Sequence, residues 1–302
     1  MIHVPEELVR SQAKYNGEAG RAFVAGLPGL AEEFLGRWGL RVTGPSLHGV
    51  ASLVLPVERV ADGTPAALKM QIPDHETEGE PVALRAWDGA GAVRLLDHDP
   101  ATGTMLLERL DETRPLTSVA DTRAALGVAA GLLARLVAVP APEGLRGLGD
   151  IAAGMLARVP DALVRLDAEG AAVLRDCAAA VREVAGEPGD RLLHWDLHLG
   201  NVLAGAREPW LVIDPKPLAG DPGFELLPLL MDRFDPDDVL WRFDLLTEVV
   251  GDRGRAVAWT LGRVLQNGLW ELAEGEPGLD EEQVAVARIL LDGRAGGFKR
   301  SP

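Results

Sequence analysis

The stretch that most constrains how this chain can fold is residues 194–201, which reads His-Trp-Asp-Leu-His-Leu-Gly-Asn. It lies between two short apolar segments, Leu192-Leu193 and Val202-Leu203. A second polar stretch, Asp214-Pro215-Lys216-Pro217, follows the apolar run 210–213. Short apolar runs that end in polar residues are typical of strands that deliver side chains into a cleft. The sequence therefore predicts two strand and loop units that share one polar site.

The charge balance limits the classes of partner. The chain has 302 residues, of which 30 are Lys or Arg and 46 are Asp or Glu, and its formal net charge is -16. Such a chain repels a phosphate backbone on average, so we predict no nucleic-acid partner. An acidic surface attracts cations instead, which favours a cationic small-molecule substrate.

Three features of the sequence indicate in which compartment of the cell the protein is found. The N-terminal residues carry neither the basic nor the apolar region of a signal peptide. The longest apolar run, 124–134, is well short of the roughly 20 residues that cross a bilayer. Cys177 is the single cysteine, so no internal disulfide can form. We expect a cytoplasmic protein that has no membrane partner and is a monomer.

The N-terminal part of the chain predicts a β-rich lobe. Residues 6–39 carry apolar residues at helical spacing, with a break expected at Gly26–Gly29. A helix is expected at 74–89, and Asp62-Gly63 predicts a hairpin turn. Strands are predicted at 47–50, 52–57, 66–70, 92–96 and 104–108. Five strands with one helix inserted after the third predict a compact antiparallel lobe.

The remainder of the chain predicts helices. They are expected at 116–139, 161–184, 224–234, 237–250, 253–273 and 280–292. A β-rich part followed by a helical part is typical of an α+β protein with two lobes. We predict an N-terminal lobe at 1–108, including the N-terminal helices, and a C-terminal lobe at 109–302.

The polar motifs resemble those of the aminoglycoside phosphotransferase family. Asp196 and Asn201 keep the five-residue offset of a kinase catalytic loop, and Asp214 stands where a second metal-binding Asp follows that loop. The run Ile-Asp-Pro-Lys-Pro at 213–217, with Ala-Leu-Lys-Met at 67–70, is most similar to the branch of streptomycin 6-kinases and hydroxyurea phosphotransferases. The likeness covers residues 20–270 and is densest around the two polar stretches.

The resemblance implies a fold and an activity. The fold would be α+β and protein-kinase-like, with an antiparallel β-rich N-lobe for the nucleotide and a mainly helical C-lobe for catalysis and substrate. The activity would be O-phosphorylation of an aminoglycoside, above all streptomycin at its 6 position, which confers antibiotic resistance. Phosphorylation of hydroxyurea or of an endogenous small molecule is the alternative. The implied cofactors are ATP, with GTP as the other possible nucleotide, and Mg²⁺.

The matching motifs also imply roles for particular residues. Asp196 would be the catalytic base, Asn201 and Asp214 the Mg²⁺ ligands, and Lys69 the residue that meets the ATP phosphates. At the crossing between the lobes, Glu108 and Leu110 are expected to bind the cofactor.

The sequence indicates two parts of the expected nucleotide site less clearly than it indicates Lys69. The partner of the phosphate-binding lysine could be Glu76, Glu78 or Glu80. Pro81 belongs in the first turn of a helix, and alignment on 83–85 favours Glu80. A glycine-rich phosphate loop is barely visible, because only His48-Gly49-Val50-Ala51-Ser52 has the right character before the lysine.

Several polar residues of the motifs have two interpretations. His194 and His198 flank Asp196 with a spacing seen in metallohydrolases, but no further His follows to complete a metal site, so we expect them to hold the loop by hydrogen bonds. Lys216 either contacts a phosphate or pairs with a carboxylate. Asp221 either anchors its loop or faces the substrate.

The acidic helices after Gly223 are where we expect the acceptor to bind. Carboxylates could hold guanidinium or ammonium groups, and a tryptophan could add a cation–π face, although such side chains are more often solvated or part of the core. The substrate candidates are Asp221, Glu225, Asp232, Asp235, Gln266 and Trp270.

Two functions of other classes fit parts of the same pattern. A kinase-like binding protein without catalysis would explain the poorly marked phosphate loop, although the intact set of Asp196, Asn201 and Asp214 argues against it. A metal-dependent hydrolase would use His194, Asp196 and His198 together.

Overall fold

A computed structural model describes residues 2–295 of the chain. These residues form two compact units. The first unit contains the residues up to Thr113 together with Leu203–Ile213, and the second contains Arg114–Val202 and the residues from Asp214 onward. The predicted boundary lies between 108 and 109 and keeps 203–213 in the second lobe.

The helices and strands are numbered in chain order. The helices are α1 (Glu6–Arg37), α2 (Glu80–Trp87), α3 (Thr122–Leu136), α4 (Leu148–Leu163), α5 (Ala168–Val184), α6 (Leu226–Met231), α7 (Val239–Val250), α8 (Arg253–Glu274) and α9 (Glu281–Ala295). The strands are β1 (Leu40–Val42), β2 (Leu47–His48), β3 (Ser52–Arg59), β4 (Pro65–Gln71), β5 (Leu95–Asp99), β6 (Thr104–Glu108), β7 (Asp111–Pro115), β8 (Arg146–Gly147), β9 (Arg191–Leu193), β10 (Val202–Ala204), β11 (Trp210–Val212) and β12 (Leu218–Gly220).

The first unit is built on an antiparallel sheet of order β1-β3-β4-β6-β5, with β2 paired to β3. The hairpin between β3 and β4 turns at Gly63, whose φ of 73° suits glycine, so the predicted Asp62-Gly63 turn is confirmed. Helix α2 is inserted between the third and fourth of the predicted strands, as expected. The antiparallel β-rich N-lobe is therefore confirmed, with β1 as a strand that the sequence analysis missed.

Helix α1 corrects one expectation about this unit. The predicted break at 26–29 is absent, and the helix runs on through Pro28. Leu27 and Ala31 lie on the same face and are fully buried in the core that covers the sheet, which keeps this part helical. The departure from helical geometry is at Gly17 instead, with φ 55° and ψ -124°, a conformation that glycine adopts most easily.

The second unit is mainly helical, as predicted. Helix α3 is shorter than the expected 116–139 and begins after Asp121, whose side chain accepts hydrogen bonds from the Arg123 and Ala124 N–H groups. Helix α4 was not predicted. Helices α5 and α8 pack against each other through fully buried side chains such as Val181 and Leu265.

A small sheet of order β8-β12-β9 positions the polar stretches of the second unit. Strand β12 runs antiparallel to β9, with Leu218 opposite Leu193. Residues 194–201 leave the end of β9, and residues 214–217 lead into β12. Strand pairing therefore places the loop that follows one strand beside the segment that precedes the other. Within residues 2–295, no helix combines the length and the apolar character that crossing a membrane requires.

Candidate active site

The loop after β9, residues 194–201, is the centre of the candidate site, and we call it the Asp196 loop. It begins with the buried residues His194 and Trp195. Trp195 has φ 68°, a left-handed conformation that is uncommon for a bulky residue and costs about 1 kcal/mol. The Trp195 N–H donates to Glu225 Oε1 over 2.7 Å, so a buried carboxylate holds the loop in this conformation.

Asp196 is the one carboxylate of the loop, and its side chain is 25% exposed. Lys216 Nζ lies 3.1 Å from Asp196 Oδ2, and the Lys216 N–H donates to the His194 carbonyl oxygen over 3.0 Å. The pairing of β9 with β12 brings the two residues together, which is why a lysine twenty residues further along the chain reaches this carboxylate. Of the two interpretations of Lys216, the structure shows pairing with a carboxylate.

Asn201 closes the loop. Its side-chain N–H donates to the Asp196 carbonyl oxygen over 2.9 Å, which leaves the amide oxygen available as a ligand. Asp214 has φ 58° and is partly buried. An amide oxygen and a carboxylate are hard oxygen ligands of the kind that Mg²⁺ prefers, so the chemistry of this pair suits that ion.

The two histidines accept hydrogen bonds from backbone N–H groups of the loop. His194 Nδ1 accepts from the Asp196 N–H over 3.3 Å, and His198 Nδ1 accepts from the Gly200 N–H over 3.1 Å. Across residues 2–295, no group of three or more His, Cys, Asp or Glu side chains is placed to hold a metal ion. The geometry therefore gives the hydrolase alternative no support.

In the first unit, Lys69 and Glu80 form a buried ion pair. Lys69 Nζ donates to both carboxylate oxygens of Glu80 at 2.8 Å, and both side chains are almost completely buried. Helix α2 begins at Glu80 with Pro81 in its first turn, later than the predicted start of the helix at 74, so Glu80 sits at the helix entrance. Of the three candidate glutamates, the structure selects Glu80.

Gln71, which is not among the predicted site residues, completes this cluster. Gln71 is buried, and its side-chain N–H donates to Glu80 Oε2 over 2.8 Å. Lys69 and Gln71 are two residues apart on β4, so their side chains point to the same face of the sheet. That period of two was the available signal for Gln71.

The glycine-poor turn at 48–52 is tied down by α1. Ser11 Oγ donates to the Val50 carbonyl oxygen over 2.5 Å, and Gln12 Nε2 donates to the Ala51 carbonyl oxygen over 3.0 Å. Gln12 is 1% exposed and also accepts from Asn16 over 2.9 Å. The turn that was expected to cover phosphates is thus held by side chains of a helix nearly forty residues earlier.

Glu108 and Leu110, the expected cofactor residues at the crossing, are partly buried and buried, respectively. The Glu108 carboxylate accepts from Arg207 Nε and Nη2 over 3.1 and 3.0 Å. Arg207 also donates to the Gly89 and Ala92 carbonyl oxygens. Leu110 is 7% exposed. Arg207 lies in the segment that joins β10 to β11, which explains why 203–213 belongs to the first unit.

Two of the predicted substrate residues are buried. Glu225 is fully buried and Gln266 is 5% exposed. Gln266 accepts from Arg263 over 3.1 Å. Glu225 supports the Asp196 loop, and because it is buried its pKa is raised to about 7, although the Trp195 N–H and Arg263 lower it.

The other predicted substrate residues differ in their surroundings. Asp221 accepts from the Gly223 N–H and pairs with Arg255 at 2.8 Å, which is the anchoring interpretation. Trp270 packs edge-on against Trp195.

The remaining two candidates are aspartates around the end of α6. Asp232 is partly buried and accepts from the Leu199 N–H over 2.6 Å. Burial raises the pKa of Asp232. Asp235 is exposed and caps the short helical turn at 236–238. Of these two, only Asp235 is an exposed acid.

The family follows from comparison with known sequences. A family model described as aminoglycoside/hydroxyurea antibiotic resistance kinase matches residues 37–273. The chain belongs to this family. It is 67% identical to a hydroxyurea phosphotransferase of Kitasatospora aureofaciens, over 98% of the chain and 88% of that protein. It is 57% identical to a streptomycin 6-kinase of Streptomyces glaucescens, over 96% of the chain and 97% of that protein.

Solved structures share the fold of this family member. A thermostable mutant of an aminoglycoside phosphotransferase, in a ternary complex with AMP-PNP and hygromycin B, superposes with a TM-score of 0.59. The two are 15% identical, and the match covers 90% of the chain and 99% of the other protein. The predicted protein-kinase-like α+β fold is confirmed.

Proposed function

We propose that this kinase-family member transfers the γ-phosphoryl group of ATP to a hydroxyl group of a cationic small molecule, with streptomycin at its 6 position as the first candidate. The observation that carries the proposal is the Asp196 loop of a chain that belongs to this family. A partly exposed carboxylate there is paired with Lys216, and the Asn201 side chain donates to the Asp196 carbonyl oxygen. The relative from Streptomyces glaucescens, which is named for streptomycin 6-phosphorylation, supports the choice of acceptor.

Asp196 is the proposed catalytic base. Phosphoryl transfer depends on positioning and on neutralisation of charge, and it needs a carboxylate that can accept the proton of the attacking hydroxyl group. The ion pair with Lys216 and the hydrogen bond from the Asp196 N–H to His194 fix the orientation of this residue before the substrate arrives. Lys216 is therefore the residue that we expect to position the base.

Asn201 and Asp214 are the proposed Mg²⁺ ligands, and Lys69 is the proposed phosphate-binding residue. Mg²⁺ would neutralise charge on the phosphate oxygens when it is bound. Glu80 holds the Lys69 ammonium group directly, because its carboxylate accepts from Nζ. Gln71 supports this pair because its side chain donates to the same carboxylate. ATP is the preferred nucleotide because the related structure contains AMP-PNP, and GTP is the alternative.

Hydroxyurea is the second candidate acceptor. The relative that is 67% identical over nearly the whole chain is named a hydroxyurea phosphotransferase. Hydroxyurea also offers a hydroxyl group, but it is small and uncharged, so it would not use the acidic side chains of the C-terminal helices.

The substrate proposal is tested by incubating the purified protein with Mg·ATP and each acceptor in turn, followed by NMR of the product. We expect one new phosphate ester on streptomycin, at the 6 position. Phosphorylation of hydroxyurea alone would replace the first candidate by the second. If streptomycin, other aminoglycosides and hydroxyurea are all unmodified, the proposed function is wrong.

The role of Asp196 is tested by Asp196→Ala. General base catalysis contributes about 10²- to 10⁴-fold to a rate, so kcat should fall by about that factor while ATP binding, measured by calorimetry, is retained. The matched control is Asp176→Ala, which removes an exposed carboxylate from α5 and should leave kcat unchanged. An unaltered kcat in Asp196→Ala would show that another group takes the proton.

A further inference from the structure

The turn that contains Asp232 is fixed from several sides. Asp232 follows α6, and its N–H donates to the Pro228 carbonyl oxygen over 3.1 Å. Arg242 on α7 is 1% exposed, and its guanidinium donates to the carbonyl oxygens of Asp232 and Arg233 over 2.5 and 2.9 Å. Arg242 therefore holds the backbone of this turn in place from the side of α7.

Arg233 fixes the same turn on its other side. It has φ 50°, and its guanidinium donates to the carbonyl oxygens of Thr117 and Val119, each over 2.8 Å. It also contacts Thr122 Oγ1 over 3.3 Å. These contacts join the turn to the segment that precedes α3. The position of the Asp232 carboxylate is therefore determined by groups that have no part in the proposed chemistry.

This carboxylate faces the Asp196 loop. Asp232 Oδ2 accepts from the Leu199 N–H over 2.6 Å, a short bond of the charge-assisted kind. Leu199 begins the short helical turn that ends at Asn201, and it lies three residues after Asp196. Asn201 then reaches back to the Asp196 carbonyl oxygen. The bond from Asp232 thus acts on the segment between the proposed base and a proposed Mg²⁺ ligand.

We infer that Asp232 is a positioning residue of the Asp196 loop and does not bind the acceptor. This inference rests on the proposed function for its effect on turnover. Glu225 holds the N–H before Asp196, and Asp232 holds the N–H of Leu199 after it, so two carboxylates fix the loop on both sides of the base. Placement errors of about 1 Å in such a group cost on the order of 10²-fold in rate.

The test uses two variants of Asp232 that separate the effect of its hydrogen-bond acceptor oxygen from the effect of its charge. Asp232→Asn keeps an oxygen that can accept the Leu199 N–H but removes the charge, whereas Asp232→Ala removes both. We expect Asp232→Ala to lower kcat by about 10- to 100-fold with the KM for the acceptor changed less than about twofold, and Asp232→Asn to recover most of kcat. A substrate-binding role predicts instead that both variants raise the KM for a cationic acceptor and change kcat little, which would overturn the inference.

Amide hydrogen exchange of the full chain gives a readout that does not depend on turnover. Peptides that cover 195–203 should exchange at least about tenfold faster in Asp232→Ala, because one hydrogen bond to the backbone is lost, and should keep most of their protection in Asp232→Asn. The controls are Asp176→Ala and Asp176→Asn, which alter an exposed aspartate on α5 and should leave this segment unchanged.

The exchange result also separates this inference from the proposed function. If no acceptor is phosphorylated but Asp232→Ala loosens 195–203, the function is wrong and the positioning role stands. If Asp232→Ala does not fold, Asp232→Asn decides between the two roles by its kcat and KM. Unchanged protection of 195–203 in a folded Asp232→Ala overturns the inference.

Discussion

At the scale of single residues, Glu225 is a carboxylate whose surroundings favour its neutral form. It is fully buried, and Oε1 accepts from the Trp195 N–H. Burial and, to a smaller extent, the charge of Asp196 raise its pKa, the Trp195 and His194 N–H groups and Arg263 lower it, and the resulting pKa is about 7. This residue therefore changes charge close to neutral pH.

A raised pKa in the folded state makes stability depend on pH in a definite direction. The unfolded carboxyl has its ordinary pKa of 4.5 and the folded one about 7, so the folded chain keeps this proton longer. The stability that comes from it is fully present below pH 4.5 and is lost as the pH rises through 7. The glutamine side chain of Glu225→Gln does not titrate, so this variant lacks the loss of stability. As the pH rises from 5 to 8, its free energy of unfolding should therefore increase by about 2 to 3 kcal/mol relative to that of the natural protein.

Urea unfolding of both proteins at the two pH values measures this difference. Glu274→Gln, which removes a carboxylate at an exposed position on α8, serves as the control. If the free energies of unfolding of Glu225→Gln and of the natural protein differ by the same amount at pH 5 and at pH 8, the Glu225 carboxyl is ionised at both pH values.

At the scale of secondary-structure elements, the two parts of α1 differ in what surrounds them. The part after Gly17 packs on the sheet through residues such as Leu27 and Phe34. The part before it carries Ser11 and Gln12, which hold the turn at 48–52. Gly17 allows the chain to change direction between these parts, and this brings Gly20 against the Gln12 carbonyl oxygen.

Two glycines of α1 should respond to alanine in opposite ways. A Cβ at Gly20 would lie 2.1 Å from the Gln12 carbonyl oxygen, whereas a Cβ at Gly26 meets no atom within 4 Å. Gly20→Ala should lower the free energy of unfolding by about 1 to 3 kcal/mol through overpacking. Gly26→Ala should raise it by about 0.5 to 1 kcal/mol, because alanine favours the helix.

Thermal and urea unfolding of the two variants beside the natural protein measure these changes. Since both substitutions add one methyl group to the same helix, each is the control for the other. Equal stabilities for the two variants would show that the helix before Gly17 does not fold back against Gly20.

At the scale of the whole molecule, the excess of acidic residues gives a net charge of -16. A field of this sign attracts cations and accelerates their association, and dissolved salt screens it beyond about 10 Å at 0.1 M. The proposed first acceptor, streptomycin, is cationic, so its capture should depend on ionic strength.

We expect kcat/KM for streptomycin, measured at saturating Mg·ATP, to fall by about threefold to tenfold between 20 and 300 mM potassium chloride, as for other electrostatically steered encounters. Sucrose at matched osmolality is the control, because it changes the solution without screening charge. A kcat/KM that stays constant across the salt series would show that the net charge does not assist binding of this acceptor.

The fold was predictable from the chain to a large extent, because periodicity is a local property. The short apolar runs 52–57 and 66–70, the Asp62-Gly63 turn and the helical spacing after residue 116 each depend on neighbours in the sequence. The expected break at 26–29 failed for a physical reason, since burial of Leu27 and Ala31 on the core outweighs the weak helix propensity of that segment.

The sequence by itself determined the net charge, the order of the polar motifs and the identity of Lys69, Asp196, Asn201 and Asp214 as the candidate chemical groups. Only the tertiary structure decided which acids support these groups. Glu80 pairs with Lys69, while Glu225 and Asp232 hold the backbone on either side of Asp196. The reason is that the burial and the partner of a carboxylate are set by residues far along the chain, about thirty positions away for the two that hold the loop, and no local pattern encodes a contact at that separation.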